Sequence, residues 1–556
     1  MRLRRLGALF AALMLATLTF GSASAQDSGS VLRVARLADW FNLFHPVEFQ
    51  TGNQFQWWNT IFNTLVKVDA DSKTVVPDLA DSWEVSEDGT QYTFHLHPGV
   101  KWHDGEPFTA NDVAFTIDWY ANNSTVDETG ALAPVYKGFL PKWTAITGVK
   151  DVAGTLGSDG TITPGTGHVA GVEVIDDNTI KLTLDAPNST FLAGLSDMAN
   201  VIVPQHILKD ATAADIETVP FSVGTPGVTV GTGPYKLVSF TPDQELDVEA
   251  NPDYFKGAPK IDRIVFKLFS DPSLAIAQIE SGDLDLAFRV PPAEFDRLAA
   301  DPNLNVISAP NPGIVRIIMN TDTAPWDKVE VRQAIAYAIN KQAIVDQFYK
   351  GRAQVLYNHP GFTVYDDINK YEYDPAKAAE LLKAGGYNGE PFTIVYDQGF
   401  PDANAIMPLI QADLSAAGIN AQLAPVDGSA AYIDFMKDRS KWGGAITVGG
   451  SEALSPDRSE QYYATTATPD SANSNYTNPE IFKLWDGARA EPDEAKRDEM
   501  YHQLALILNT DLPMIHLYAP NLVMVSTKDL GGGFAVHLNE RESFMNVETW
   551  TLGSGS

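Results

Sequence analysis

The chain has 556 residues, 71 of them acidic against 39 basic, a formal charge of −32 and no cysteine. That length exceeds what one hydrophobic core supports, so two or three domains are expected. So acidic a surface is a poor partner for nucleic acid, and the lack of cysteine excludes a disulfide framework, a thiolate metal site and a cysteine-borne lipid anchor.

At the N-terminus, Arg2, Arg4 and Arg5 precede an apolar run over 6–20, and Ala23-Ser24-Ala25 stands before Gln26. These are the three zones of a cleavable signal peptide, residues 1–25. The run is shorter than the roughly 20 residues a membrane span needs. A soluble exported protein follows, with the periplasm of a two-membrane bacterium as its expected location. The excess acids read as a solvated coat.

After a first strand over 32–38 come Trp40, Phe41, Asn42 and Phe44, then Asn53, Gln54, Phe55, Trp57 and Trp58 ahead of an apolar stripe of Ile61, Phe62 and Leu65. On a helix Trp57 and Trp58 point 100° apart, so one is expected to pack while the other is available to a ligand.

From Val76 to Asp118 nearly every residue has a local task. Asp88-Gly89 is a turn, and Tyr92, Phe94 and Leu96 alternate with Thr93, His95 and His97, which makes a hairpin. Asp104-Gly105 is a second turn. Thr109 and Asp112 form an acidic capping box before Val113, Phe115 and Ile117, opening a helix.

The ordered set Pro77-Asp78-Leu79-Ala80, Ser82-Trp83, Asp88-Gly89, Tyr92-Thr93-Phe94, Gly99-Val100-Lys101-Trp102-His103-Asp104-Gly105 and Phe108-Thr109-Ala110-Asn111-Asp112-Val113 resembles the family 5 extracytoplasmic solute-binding proteins of bacterial ABC importers. The resemblance runs over about 31–525 and continues in Gly231-Thr232-Gly233-Pro234-Tyr235, Asn251-Pro252-Asp253-Tyr254-Phe255 and the run from Val331 to Ile344. It implies an α/β, bilobed periplasmic binding protein (type II, cluster C-like), with an extra domain on lobe I and a ligand cleft between lobes.

Its implied parts are lobe I over 26–75, 200–305 and 520–556, an extra domain over 76–199, and lobe II over 306–519. Two crossings between the lobes would form the hinge.

Further along, 121–171 is rich in Gly, Thr, Asn and Pro and reads as a surface insertion. A hairpin follows from Val172 around Asp177-Asn178. Gly231-Thr232-Gly233 has neither Walker spacing nor a complete GxGxxG, so it reads as a tight turn before a strand. Asp271-Pro272 and Asp374-Pro375 open helices that Gly282 and Gly385-Gly386 close. Asp327 to Tyr349 reads as the strongest helix, with Asp327 and Glu330 at capping-box spacing. The run from Ala403 to Ala417 reads as a helix broken or kinked near Pro408. Helices alternating with strands imply partly parallel sheets.

His95, His97 and His103 suggest a metal, yet there is no thiolate and His103-Asp104-Gly105 already serves as a turn, so no metal or other cofactor is expected. Neither GxSxG nor HExxH occurs, and catalysis is not expected.

By resemblance, the lobe I side of the cleft takes Trp40, Asn42, Phe44, Asn53, Gln54, Trp57 and Trp58, and the lobe II side takes Phe400, Trp442, Ser451, Glu452 and Tyr462. Peptide-binding members hold the α-amino group with an aspartate in the loop after Trp442. Here Ala453 aligns to it and Glu452 comes one residue early, which weakens the peptide reading, because a buried ammonium needs a charged partner. The tryptophans and nearby Asn and Gln suit an oligosaccharide equally well.

The expected function is therefore a monomeric receptor that delivers a polar solute, peptide or sugar, to an ABC permease. A secreted glycosidase or peptidase, and a sensor or chaperone on the same scaffold, stay open as alternatives.

Overall fold

The computed structural model describes residues 29–37, 44, 55–69, 74–126, 132–134, 142–156, 162–212, 218–269, 271–311, 313–363, 365–399, 401–451, 456, 460, 463, 474–534, 537 and 542–553. The expected signal peptide lies outside them.

Two mixed sheets organise the molecule. One has seven strands in the order Tyr235–Thr241, Glu245–Ala250, Arg263–Phe269, Val31–Leu37, Leu286–Phe288, Leu522–Thr527 and Leu304–Ala309. Val31–Leu37 runs parallel to both of its neighbours. Its residues alternate between two cores, Leu32 and Val34 joining Phe266, Leu286 and Met524 on one face, Ala35 joining Ala287, Val523 and Val525 on the other. Burial on both faces is why these strands read as apolar runs.

The other sheet has six strands, in the order Ala353–Val355, Met514–Pro520, Gly313–Met319, Gly444–Ser451, Phe392–Asp397 and Ala421–Val426. Val315, Ile317 and Met319 pack on one face, Ile318, Val395 and Ala445 on the other. The chain passes between the sheets twice, from Leu304–Ala309 to Gly313–Met319 and from Met514–Pro520 to Leu522–Thr527.

A third, antiparallel sheet runs Val172–Asp176, Thr179–Thr183, Gln91–Leu96 and Ala80–Val85, so both expected hairpins form and pair with each other. Gly89 supplies the positive φ of 69° that its turn requires. The helix Ala110–Asn122 opens on the expected box, with Thr109 N donating to Asp112 Oδ2 at 2.9 Å.

Three local readings change. The stretch 121–171 is more than a surface insertion: Ser124–Val126, Leu132–Pro134, Gly154–Leu156 and Ile162–Thr163 form a small sheet, and Trp143, Ile146 and Val149 enter the core under Phe94 and Ile117. The helix expected over 327–349 is two helices, Val329–Ala338 and Lys341–Gln347. Asn340 divides them, because its side chain accepts from Ala343 N at 3.0 Å and starts a fresh helix. The first begins after Lys328 with no side-chain cap, and Asp327 pairs with Lys328 at 3.0 Å instead. Pro401–Ala416 is continuous through Pro408.

Gly231 and Gly233 are tight-turn glycines for a reason beyond the turn. A Cβ on them would lie 1.9 Å from Ile61 O and 2.5 Å from Ile61 C, so the turn closes against the end of the helix Phe55–Ile61.

Candidate functional site

Strand Gly444–Ser451 ends opposite Gly313, beside one of the chain crossings, and the loop expected to recognise ligand leaves from there. Three of its residues are described. Pro456 O accepts from Trp485 Nε1 at 3.3 Å, Glu460 pairs with Arg489, and the Tyr463 ring sits 5.7 Å from that of Trp485. Helix Pro479–Ala490 therefore backs this loop.

Pro456 forms one wall of an open groove of about 600 Å³, with Gly361, Thr363, Tyr365, Glu494, Ala495, Arg497, Asp498 and Tyr501. Its far wall is the first two turns of Glu494–Asp511, a helix started by Asp493 accepting from Lys496 N at 3.0 Å. Tyr365 OH donates to Asp498 Oδ1 at 3.0 Å, and its ring stacks at 4.1 Å on His502, whose Nε2 meets Asp367 at 2.8 Å. Burial and then the Asp498 carboxylate push the Tyr365 phenol above its usual range, so it stays a neutral donor. Arg497 reaches Glu491 O at 3.0 Å. The groove thus offers carboxylates, one guanidinium and a phenol, groups suited to a solute carrying charges of both signs.

Under the same sheet lies a buried polar layer. Arg316 is in register with Thr447 on one side and His516 on the other, and all three strands carry it on the face of Tyr432 and Tyr463. Burial, then coulombic interaction with His359, Arg316 and Lys341, drives the His516 imidazole well below its ordinary value, leaving it neutral. Burial alone takes Lys341 down to about 7.

Of the residues picked from sequence, Phe44, Trp57, Trp58 and Trp442 are described, and all are buried. Phe44 packs edge-on to Phe240 at 4.8 Å, and Trp57 does so to Phe266 at 4.9 Å. Trp58 meets Phe62 at 6.0 Å. Trp442 donates from Nε1 to Met436 O at 3.1 Å. Trp57 and Trp58 both pack, although they point about 100° apart, because residues 56–61 are buried on every side of their helix. None of these four rings lines the groove. Ser451 is placed as the last residue of its strand. Trp40, Asn42, Asn53, Gln54, Phe400, Glu452 and Tyr462 lie outside the described residues.

The histidines singled out earlier have local partners. His95 faces Glu84 at 3.8 Å and His97 Nδ1 lies 3.0 Å from Pro98 O. His103 accepts from Gly231 N at 3.1 Å through Nδ1, while Nε2 donates to Gly233 O at 3.0 Å. Tyr365 and the adjacent Arg497-Asp498 carry no signal in the sequence, where more than 130 positions separate the tyrosine from the pair and no motif joins them.

Comparison with known proteins agrees with this architecture. The model of the bacterial extracellular solute-binding proteins, family 5, matches residues 74–473. Di/tripeptide-binding protein 1 of Pseudomonas aeruginosa is 31% identical over 495 residues, 85% of this chain and 86% of its own length. The dipeptide-binding protein of Escherichia coli is 28% identical over 91% of this chain and 92% of its own. The structure of the oligopeptide-binding protein AppA from Bacillus subtilis, in complex with a nonapeptide, superposes with a TM-score of 0.76 at 25% identity, covering 95% of this chain and 99% of AppA.

Proposed function

Because this chain belongs to the bacterial extracellular solute-binding proteins of family 5, we propose that it is the capture component of an ABC importer, holding a short peptide between two lobes and handing it to a membrane permease. The observation that carries the reading is the near full-length match to the di/tripeptide-binding protein of Pseudomonas aeruginosa. In this reading, residues 26–75, 200–305 and 520–556 form lobe I, 76–199 the extra domain and 306–519 lobe II. The two strand crossings act as the hinge, and closure around the solute is the signal the permease reads. The protein works as a monomer in the periplasm after removal of residues 1–25.

Peptide is favoured over oligosaccharide by the relatives named for dipeptide and oligopeptide binding; the groove, built entirely from residues within 306–519, serves the lobe II side alone. Glu494, Asp498 and Arg497 offer both signs of charge to a zwitterion, whereas the aromatic rings proposed as sugar platforms are buried where the structure describes them. Glu452 and the other cleft candidates outside the described residues remain proposed ligand contacts.

Native mass spectrometry of the protein as purified, with the released ligand sequenced, tests the reading. Short peptides are the expected result; a released sugar would overturn it, and peptides recovered in cleaved form after incubation would favour the hydrolase alternative.

A further inference from the structure

Among the described residues, the two halves of the molecule touch beside the strand crossings and again, through different elements, at a distant point. Beside the strand crossings, Asp296 pairs with Arg352 at 2.6 Å and Lys350 at 3.2 Å, and the Arg352 guanidinium lies 3.8 Å from the Phe295 ring centre. The second contact joins the antiparallel-sheet region to helix Pro479–Ala490. Ser189 N donates to Arg489 O at 2.8 Å, and Ser189 Oγ to Ala488 O at 3.4 Å.

The chemistry of this second contact is specific. The carbonyls in the last turn of a helix have no donor within the helix. Glu491 N reaches back to Ala488 O at 3.3 Å, and Ser189 supplies a donor to Arg489 O and a second to Ala488 O from a different part of the fold. The turn that presents Ser189 is already set. Asn188 Oδ1 accepts from Thr190 N at 3.1 Å and Thr190 Oγ1 at 3.0 Å, while Tyr92 OH donates to Asn188 O at 3.1 Å. Docking therefore orders little that was free. On the receiving side, the Arg489 side chain holds Glu460, whose carbonyl accepts from Tyr463 N at 2.9 Å. The contact is continuous with the loop that walls the groove.

We propose that the Asn188–Thr190 turn is a clasp that seats on the C-terminus of helix Pro479–Ala490 when the halves close, making Ser189 a positioning residue for retention of the captured solute. The clasp rests on the capture reading given above. Apart, both partners are hydrated; together, two hydrogen bonds bias the closed form by a factor of about five each.

The chain has no cysteine, so Glu87→Cys and Lys483→Cys, both at exposed positions in the two halves, take spin labels cleanly. Distance distributions are measured by pulsed electron resonance on the protein as purified and after stripping in guanidinium and refolding. In the parent protein a short distance dominates as purified and a longer one appears on stripping. Ser189→Pro, which removes the donor N–H, lowers the short-to-long ratio at least about fivefold, and Asn188→Ala, which only loosens the turn, lowers it about threefold, both with an unchanged circular dichroism spectrum. Ratios equal to the parent in both variants, with both distances visible, overturn the clasp and leave capture standing. One unchanging distance in the parent overturns capture and clasp together. If Ser189→Pro does not fold, Asn188→Ala decides.

Discussion

Asp78 Oδ1 lies 2.7 Å from Lys256 Nζ, and the carboxylate is wholly buried. Lys67 Nζ stands 3.5 Å away, and Asn63 Nδ2 and Thr64 N donate to the same group. Burial pushes the Asp78 carboxyl up, but Lys67, Lys256 and the Asn63 amide outweigh it and hold the pKa below the ordinary 3.8. Burial pulls the Lys67 ammonium down, which leaves the more exposed Lys256 as the firmer partner. A carboxyl depressed by folding stabilises above its unfolded pKa and loses that contribution as pH falls through its folded value. Asp78→Asn should cost about 3–5 kcal/mol in urea unfolding at pH 7, because it strands buried ammonium charge.

His103 acts in a higher window. Burial takes the imidazole down to about 4 against 6.5 when unfolded. The unfolded chain is protonated first, so stability should fall as pH drops from 6.5 towards 4 and level off below that. The contribution is at most about 3 kcal/mol, less for the ring's partial exposure. Urea midpoints at pH 7 and pH 5 should differ, and His103→Ala should narrow the difference, the buried His516 keeping its own share, while costing about 1–3 kcal/mol at pH 7 through the stranded Gly231 N–H and Gly233 C=O.

Gly231→Ala should be among the most damaging small substitutions. The new methyl meets backbone, Ile61 O at 1.9 Å, which has no rotamer to yield. A loss of about 3 kcal/mol or more is expected, visible as a lowered melting temperature or lost soluble expression. The same change at Gly227, where nothing lies within 4 Å, should be limited to the strain of its φ of 75°.

Arg489→Ala should loosen the groove wall without unfolding the protein. With Glu460 released, exchange at the Tyr463 amide should speed about tenfold, while global stability moves by no more than about 1 kcal/mol because the pair is partly exposed. Unchanged exchange at Tyr463 would show that Trp485 alone holds the loop.

The scaffold was legible because its signals are local. Thr109 and Asp112 cap a helix three residues apart, and Asp88-Gly89 turns a hairpin within ten. The groove was not legible, because Tyr365, Pro456 and Asp498 meet only after the six-stranded sheet has folded. The aromatic residues meet a related limit: residue type marks Trp57, Trp58 and Trp442 as adhesive but cannot say whether they adhere to a ligand or to the core. The single long helix expected from 327 to 349 failed on one side chain, Asn340, which is a poor interior helix residue and a good first cap.

The position of Leu522–Thr527 sets an order of assembly. This strand lies inside the seven-stranded sheet, between Leu286–Phe288 and Leu304–Ala309, yet it is made after the whole six-stranded half. Until it docks, Leu286–Phe288 and Leu304–Ala309 each keep an unsatisfied strand edge. The six-stranded half is built from one uninterrupted stretch, whereas the seven-stranded half is completed by a strand delivered from the far end of the chain. Truncation anywhere before residue 522 therefore leaves the seven-stranded half open, not merely shortened.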